Sequence, residues 1–301
     1  MKVEQFQKEL LKMIDDAVAK FGSVIPDIER NTLSRLQLLI KDLDIRNGVV
    51  LNNVKNLKTI GKLSAEIKKA VVSPKYVAAV QEFVNVFNTV AELQMKYFNT
   101  NFEMKPGKER LDLIQKNAKD ALVQRLLGTG LDSGIVSEVE DILRRNITTG
   151  GSYNQLATQL QEYMVSSNPE KNPGRIAAYA KTITIDSVNQ FSAQYNDTIT
   201  EDLGLDWFMY VGSNLETTRE FCEHLTKKRY VHKSELPAIV KGDIDNHQVK
   251  INPKTKLWYG AIEGTNTANF KVNRGGYRCG HQFFAVSKVV VPANIRAKFD
   301  K

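Results

Sequence analysis

Two cysteines and four histidines are the soft metal ligands of this 301-residue chain, and all six lie in its last 80 residues: Cys222, His224, His232, His247, Cys279 and His281. Four of them form two matching pairs, Cys222-Glu223-His224 and Cys279-Gly280-His281. Two thiols and two imidazoles can complete a tetrahedral zinc site, so Cys222, His224, Cys279 and His281 are candidate ligands. In an extended segment residues i and i+2 face one side, which suits Cys279 with His281. On a helix the same spacing turns two side chains about 200° apart, a poor geometry for Cys222 with His224. A thiol beside an imidazole can also act as nucleophile and base, as Cys222 with His281 or Cys279 with His224. No segment marks an oxyanion hole for that chemistry. Asp243, Asp245 and His247 alternate and could hold a divalent ion, although a solvated loop is the better reading. The plain alternative for both cysteines is burial in a small core.

Strands and short helices must position these residues. Trp207-Phe208-Met209-Tyr210-Val211 is short, aromatic and β-branched, and reads as a strand. Phe283-Phe284-Ala285-Val286 is a second strand, expected to run beside the first. Thr217–Leu225 can form a short helix, and 227–273 is rich in Gly, Pro, Asn and Asp, as loops are. Gly275-Gly276 reads as a tight turn before the closing strand.

Upstream the pattern is helical. Leu10, Ile14, Val18 and Phe21 recur near a period of 3.6, as do Leu33, Leu36, Ile40 and Leu43, and Ile60, Leu63, Ile67 and Val71. Ser73-Pro74 is an N-cap followed by proline in the first turn, ahead of Val80, Phe83, Phe87 and Val90. Pro106-Gly107 breaks the chain, and further helices follow, the last running from about Arg175 to Leu203. The expected fold is mainly α: an elongated, all-helical N-terminal body, then a small α+β C-terminal domain. Its divisions fall at 1–105, 106–205 and 206–301.

Charge follows the same division. From Arg219 to Lys301 there are 16 Lys+Arg and 7 Asp+Glu, a net of +9, whereas the rest of the chain carries −1. A basic segment of this kind calls for nucleic acid or an acidic protein surface. Arg219, Lys227, Lys228, Arg229 and Arg278 are the candidate contacts, through guanidinium forks and ammonium groups. The competing account pairs Arg219 and Arg278 with Glu216, Glu220 or Glu223. No apolar window is long enough to span a membrane, and the N-terminus lacks the apolar core of a signal peptide. Two cysteines make no disulfide scaffold, so assembly in a reducing cytoplasm is expected. No phosphate-binding loop is present: Gly61-Lys62-Leu63 and Gly128-Thr129-Gly130 lack the surrounding pattern.

The order of motifs in the tail resembles the phage head morphogenesis family, the Mu F-like minor head proteins of tailed phages. The strand Trp207–Val211 is followed by Thr218-Arg219-Glu220-Phe221-Cys222, then Leu257-Trp258-Tyr259-Gly260, then Gly276-Tyr277-Arg278-Cys279-Gly280-His281 before a final strand. Arg175-Ile176-Ala177 to Asn189, with Thr182 inside, is similar to the helix that precedes the motif in that family, and Gly151–Tyr163 to an earlier one. The likeness covers about residues 108–290. At two places the chain departs from the pattern: Asn214 and Glu216 stand near the position of an expected acid, and His281 replaces a closing cysteine. The resemblance implies proximity of Cys222 and Cys279, as a disulfide or a packed thiol pair. It also implies a non-enzymatic minor structural protein of the virion head, present in few copies, made in the host cytoplasm and acting in head assembly and DNA packaging at the portal vertex. Its implied partners are the portal protein, the major capsid or scaffolding protein, and DNA bound without sequence preference. No cofactor is expected unless zinc occupies the Cys/His set. The rival reading is a Cys/His metal-dependent nuclease, or another enzyme carried in the virion, with His281 or His247 helping to activate water.

Overall fold

The computed structural model describes residues 2–102, 107–165, 173–276 and 279–299. In chain order the elements are α1 (Val3–Gly22), α2 (Ile25–Ile40), β1 (Ile45–Arg46), β2 (Val49–Val50), α3 (Val54–Val71), α4 (Pro74–Val84), α5 (Val86–Asn101) and α6 (Lys108–Leu127). Next come α7 (Thr129–Leu131), a π-helical turn, α8 (Ser137–Thr149), α9 (Tyr153–Met164) and α10 (Arg175–Asp202). The last third holds β3 (Trp207–Val211), α11 (Glu220–Lys228), β4 (Tyr230–His232), α12 (Leu236–Val240), β5 (Asp243–Ile244), β6 (His247–Gln248), α13 (Phe270–Asn273), β7 (Gln282–Ala285) and α14 (Ala293–Arg296). The protein is mainly α with a small α+β region, as its apolar periodicities require.

The helix signals act as the sequence suggests. Ser73 accepts a hydrogen bond from the Tyr76 N–H, with Pro74 in the first turn of α4. Asn53 caps α3 by accepting from the Asn56 N–H, and Ser152 caps α9 by accepting from the Gln155 N–H. Helix α8 ends on Gly150 in the left-handed conformation. Ile60, Leu63, Ile67 and Val71 are all buried on α3. One apolar face proves to be two helices. Val80 and Phe83 lie on α4, Phe87 and Val90 on α5, and Asn85 caps the first of these.

Residues 1–203 are not wholly helical. Ile45–Arg46 and Val49–Val50 form a two-stranded hairpin, with Asn47 and Gly48 at φ 51° and 76° in its turn. Asn-Gly is the preferred sequence for such a primed turn, but two-residue strands carry no periodicity.

Two compact units are present, and their segments interleave along the chain. One comprises 1–14, 86–118 and 185–301, the other 15–85 and 119–184, so three boundaries fall inside α1, α6 and α10 and the fourth between α4 and α5. Divisions at 105 and 205, drawn from local breaks, do not coincide with these units. In the second unit Phe21 packs on Tyr76 and Phe83. There too the buried Glu29 carboxylate accepts the Ala177 N–H at 2.8 Å, capping the start of α10.

In the first unit the central sheet has the order β4-β3-β7, antiparallel throughout. Tyr210 pairs with Phe283, and Met209 with Phe284. Every residue of β3 is buried because both faces are covered. On one face Phe284 meets Phe6 with ring centroids 4.9 Å apart, and the Tyr97 hydroxyl donates to the Ala285 carbonyl at 2.7 Å. On the other, Phe208, Tyr210 and Phe283 join a core with Phe221, Leu225, Trp258 and Phe270. Both cysteines belong to this second core.

Candidate functional site

Tyr210 points from β3 into the second core, where its hydroxyl lies 3.5 Å from Cys222 Sγ and 3.7 Å from Cys279 Sγ. The two sulfurs are 3.8 Å apart although 57 residues separate them in sequence. Both cysteines are free and buried. Cys222 arrives on the first turn of α11, whose apolar face also buries Phe221 and Leu225. Cys279 arrives from the Arg274–Gly276 turn, in which the Cys279 N–H donates to the Gly276 carbonyl.

His281 completes the group. Its ring stacks on Tyr210, the two planes 4° from parallel and the centroids 5.4 Å apart. Its Nδ1 is 3.7 Å from Cys279 Sγ, and its Nε2 is 3.3 Å from Asn214 Oδ1. Glycines make this packing possible. A Cβ on Gly275 would stand 2.2 Å from Cys222 Sγ and 2.8 Å from Cys279 Sγ, and one on Gly212 would stand 2.1 Å from the His281 ring.

Arg274 sits against the group. It is 4% exposed, with φ at 52°. It donates to the His281 carbonyl at 3.5 Å, while its Nε has no hydrogen-bond partner. Burial lowers the Arg274 pKa and Cys279 opposes that shift; a guanidinium remains a cation even so. The two thiols are pushed in opposite directions. The contact with Cys222, together with His281 and Arg274, holds Cys279 low against its burial and favours the thiolate. Cys222 is pushed up, first by that same contact and then by burial. Burial also raises the Tyr210 phenol, with both cysteines adding to the shift.

Of the four expected zinc ligands, three converge: Cys222, Cys279 and His281, with donor atoms all within 4.8 Å of one another. Their geometry fits a soft metal, since two zinc-bound sulfurs at about 2.3 Å and tetrahedral angles stand about 3.8 Å apart. His224 does not join them. As the helical spacing requires, it leaves α11 on another side and stacks on His247 at 3.8 Å. The Cys222–His281 and Cys279–His224 dyads do not form as drawn. Cys279 instead adjoins His281, but it is only 5% exposed, so an acyl carbon cannot reach it without opening of the core. Asp243 and Asp245 do not join His247 in a ligand group. Lys228 takes Asp245 in an ion pair.

The expected partner-contact residues divide. Arg219 stands at the N-cap position of α11 without a side-chain capping bond, and its guanidinium donates to the Gly275 carbonyl at 3.2 Å. Lys228 is 10% exposed and ion-paired with Glu235 and Asp245. Arg229 pairs with Glu4. Lys227 is exposed. Arg278 lies outside the described residues. Arg219 and Lys228 are thus engaged within the fold, while Arg229 and Lys227 stand exposed. The freely presented cations include Lys227, Lys241, Lys250, Lys254 and Lys256, all exposed.

Sequence reasoning passed over Tyr210, Asn214 and Arg274 as members of the site. Tyr210 was legible as one of the alternate residues of β3. Arg274 was not, because an arginine in a basic loop-rich segment reads as surface.

No family model matches the chain, and no curated protein or solved structure is significantly similar to it. Among the described residues no helix is long and apolar enough to cross a membrane.

Proposed function

We propose that this chain is a minor structural protein of a tailed-phage head, acting in head assembly and DNA packaging beside the portal vertex. The observation that carries the reading is the meeting of Cys222 and Cys279, 3.8 Å apart, from the two motif segments that resemble the head morphogenesis pattern. Two further contacts support it. Asn214 and His281, which stand where the chain departs from that pattern, hydrogen-bond to each other. Asn189, in the helix that resembles the element preceding the motif, accepts from Gln282 Nε2 at 3.2 Å, next to His281.

In this reading the Cys/His/Tyr group holds the C-terminal core together, and any zinc at Cys222, Cys279 and His281 would act structurally. The exposed lysines supply a sequence-independent attraction for DNA or for an acidic face of the portal, capsid or scaffolding protein. Site and charge then have separate tasks: the first fixes the fold and the second meets the partner.

The test is mass spectrometry of density-purified particles from the phage or induced prophage that encodes the chain. The expected result is the protein in DNA-filled heads, at a copy number below that of the major capsid protein and comparable to that of the portal. Its presence only in the soluble lysate of infected cells, with particles lacking it, would contradict the proposal.

A further inference from the structure

A second ligand group lies on the surface of the same region, apart from the buried thiols. Glu220 and His224 are four residues apart on α11, so they share one helix face. His247 reaches that face from the β5–β6 hairpin, whose turn residues Asp245 and Asn246 have φ of 53° and 63° and place it at the start of β6. The His224 and His247 rings are 12° from parallel, with centroids 3.8 Å apart. His247 Nε2 is 3.3 Å from Glu220 Oε1. The second carboxylate oxygen, Oε2, accepts the Lys250 N–H at 3.2 Å, which fixes the carboxylate in place. Donor atoms from all three side chains lie within 4.8 Å of one another.

We infer that Glu220, His224 and His247 bind a divalent transition-metal ion, zinc being the representative, at a surface site that clips the β5–β6 hairpin to helix α11. Three features select this ligand class. Two of the three donors are imidazole nitrogens, which favour zinc, nickel, cobalt or copper over calcium and magnesium. One oxygen and two nitrogens make a three-donor set that leaves at least one coordination position for water. His247 and Glu220 side chains are 46% and 38% exposed, so an ion can enter without rearrangement of the core, the two stacked imidazoles turning about their side-chain bonds to aim their nitrogens at it. Binding to the folded chain alone raises its apparent stability by mass action, and the two elements joined are distant in sequence.

This inference is independent of the head-protein reading. The buried Cys222, Cys279 and His281 are a competing destination for the same ions, so the experiment must report which donors are used. The full-length chain, stripped with chelator and kept reduced, is titrated with Co²⁺ and separately with Zn²⁺. Cobalt at the proposed site gives weak visible ligand-field bands without the intense near-ultraviolet charge transfer of a cobalt–thiolate bond, and Cys279→Ser leaves those bands unchanged. Zn²⁺ binding raises the unfolding temperature. His247→Ala and Glu220→Gln should each weaken Zn²⁺ binding by at least the roughly 10- to 100-fold that loss of a mere supporting partner costs. Both variants should unfold with the wild-type profile in EDTA, which separates ligand loss from misfolding. An absence of saturable binding, undiminished affinity in both variants, or thiolate charge transfer abolished by Cys279→Ser would each overturn the inference.

Discussion

Gly276→Ala should unfold the C-terminal core at a temperature or urea concentration far below that of the parent, in circular dichroism of the full chain. Gly276 has φ of 102°, which an L side chain rarely adopts, and a Cβ there would stand 1.9 Å from the Gly260 carbonyl oxygen. The obstruction is backbone, so no rotamer change relieves it. Gly264 provides the comparison, with φ of 79° and nothing within 4 Å of an added Cβ. Gly264→Ala should cost only the conformational part, about 1–2 kcal/mol. Gly276→Ala should cost about 1–3 kcal/mol more for the overlap. The turn it disrupts also delivers Cys279, so both thiols should become reactive towards a thiol reagent in native buffer. Equal losses at the two glycines would refute the close approach of this turn to Gly260.

The second large effect concerns a buried ion pair. Lys271 and Asp197 form a salt bridge in which each side chain is 10% exposed, and the Lys271 ammonium also lies 4.8 Å from the centre of the Phe208 ring. Lys271→Met leaves a carboxylate buried and alone, and should destabilise the protein by about 3–5 kcal/mol. The double variant Lys271→Met/Asp197→Leu should recover most of that loss. The sign with pH is fixed as well. Burial raises the Asp197 pKa more than Lys271 lowers it. A raised carboxyl contributes stability fully below its unfolded pKa, and that contribution fades as pH rises through the folded value. Without Lys271 the folded value rises further, so the Lys271→Met deficit should be larger near pH 8 than near pH 5. Chemical denaturation at both pH values measures it, and a deficit independent of pH would argue against a buried, unpaired carboxylate.

These two sites show where sequence ceases to be legible. The period of 3.6 placed the helices, and the aromatic run at Trp207–Val211 placed β3 at its observed bounds. The short strands Ile45–Arg46, Val49–Val50, Tyr230–His232, Asp243–Ile244 and His247–Gln248 were passed over. Their register comes from turns with positive φ and from neighbours, not from alternation. The grouping of segments into units was equally hidden, since nothing local in 86–118 announces that it packs with 185–301. At the site, residue type identified the thiols and imidazoles, and helical geometry foretold that His224 would separate from Cys222. Charge misled more. Arg219 and Lys228 look like a basic surface in sequence, yet both are held within the fold, whereas Arg229 remains at the surface in an exposed pair with Glu4. Reversing Lys228 to probe a partner would instead set a third acid beside Glu235 and Asp245. Lys250, Lys254 and Lys256 are the sounder choices for such a probe.

The claim on which the account turns is that the two cysteine segments build one buried site, and mild oxidation with peptide mapping tests it most directly. The folded, metal-free chain is treated at low protein concentration with dilute hydrogen peroxide, an oxidant small enough to reach thiols that bulkier reagents do not, quenched with alkylating reagent, digested without reduction and mapped by mass spectrometry. Thiols 3.8 Å apart, with Cys279 held towards its thiolate, need only a small approach to form a bond. The expected product is one intrachain disulfide joining the Cys222 and Cys279 peptides, formed in the native chain and lost when Gly276→Ala opens the turn. Recovery of both cysteines as separately alkylated peptides, or as interchain dimers, would contradict the account.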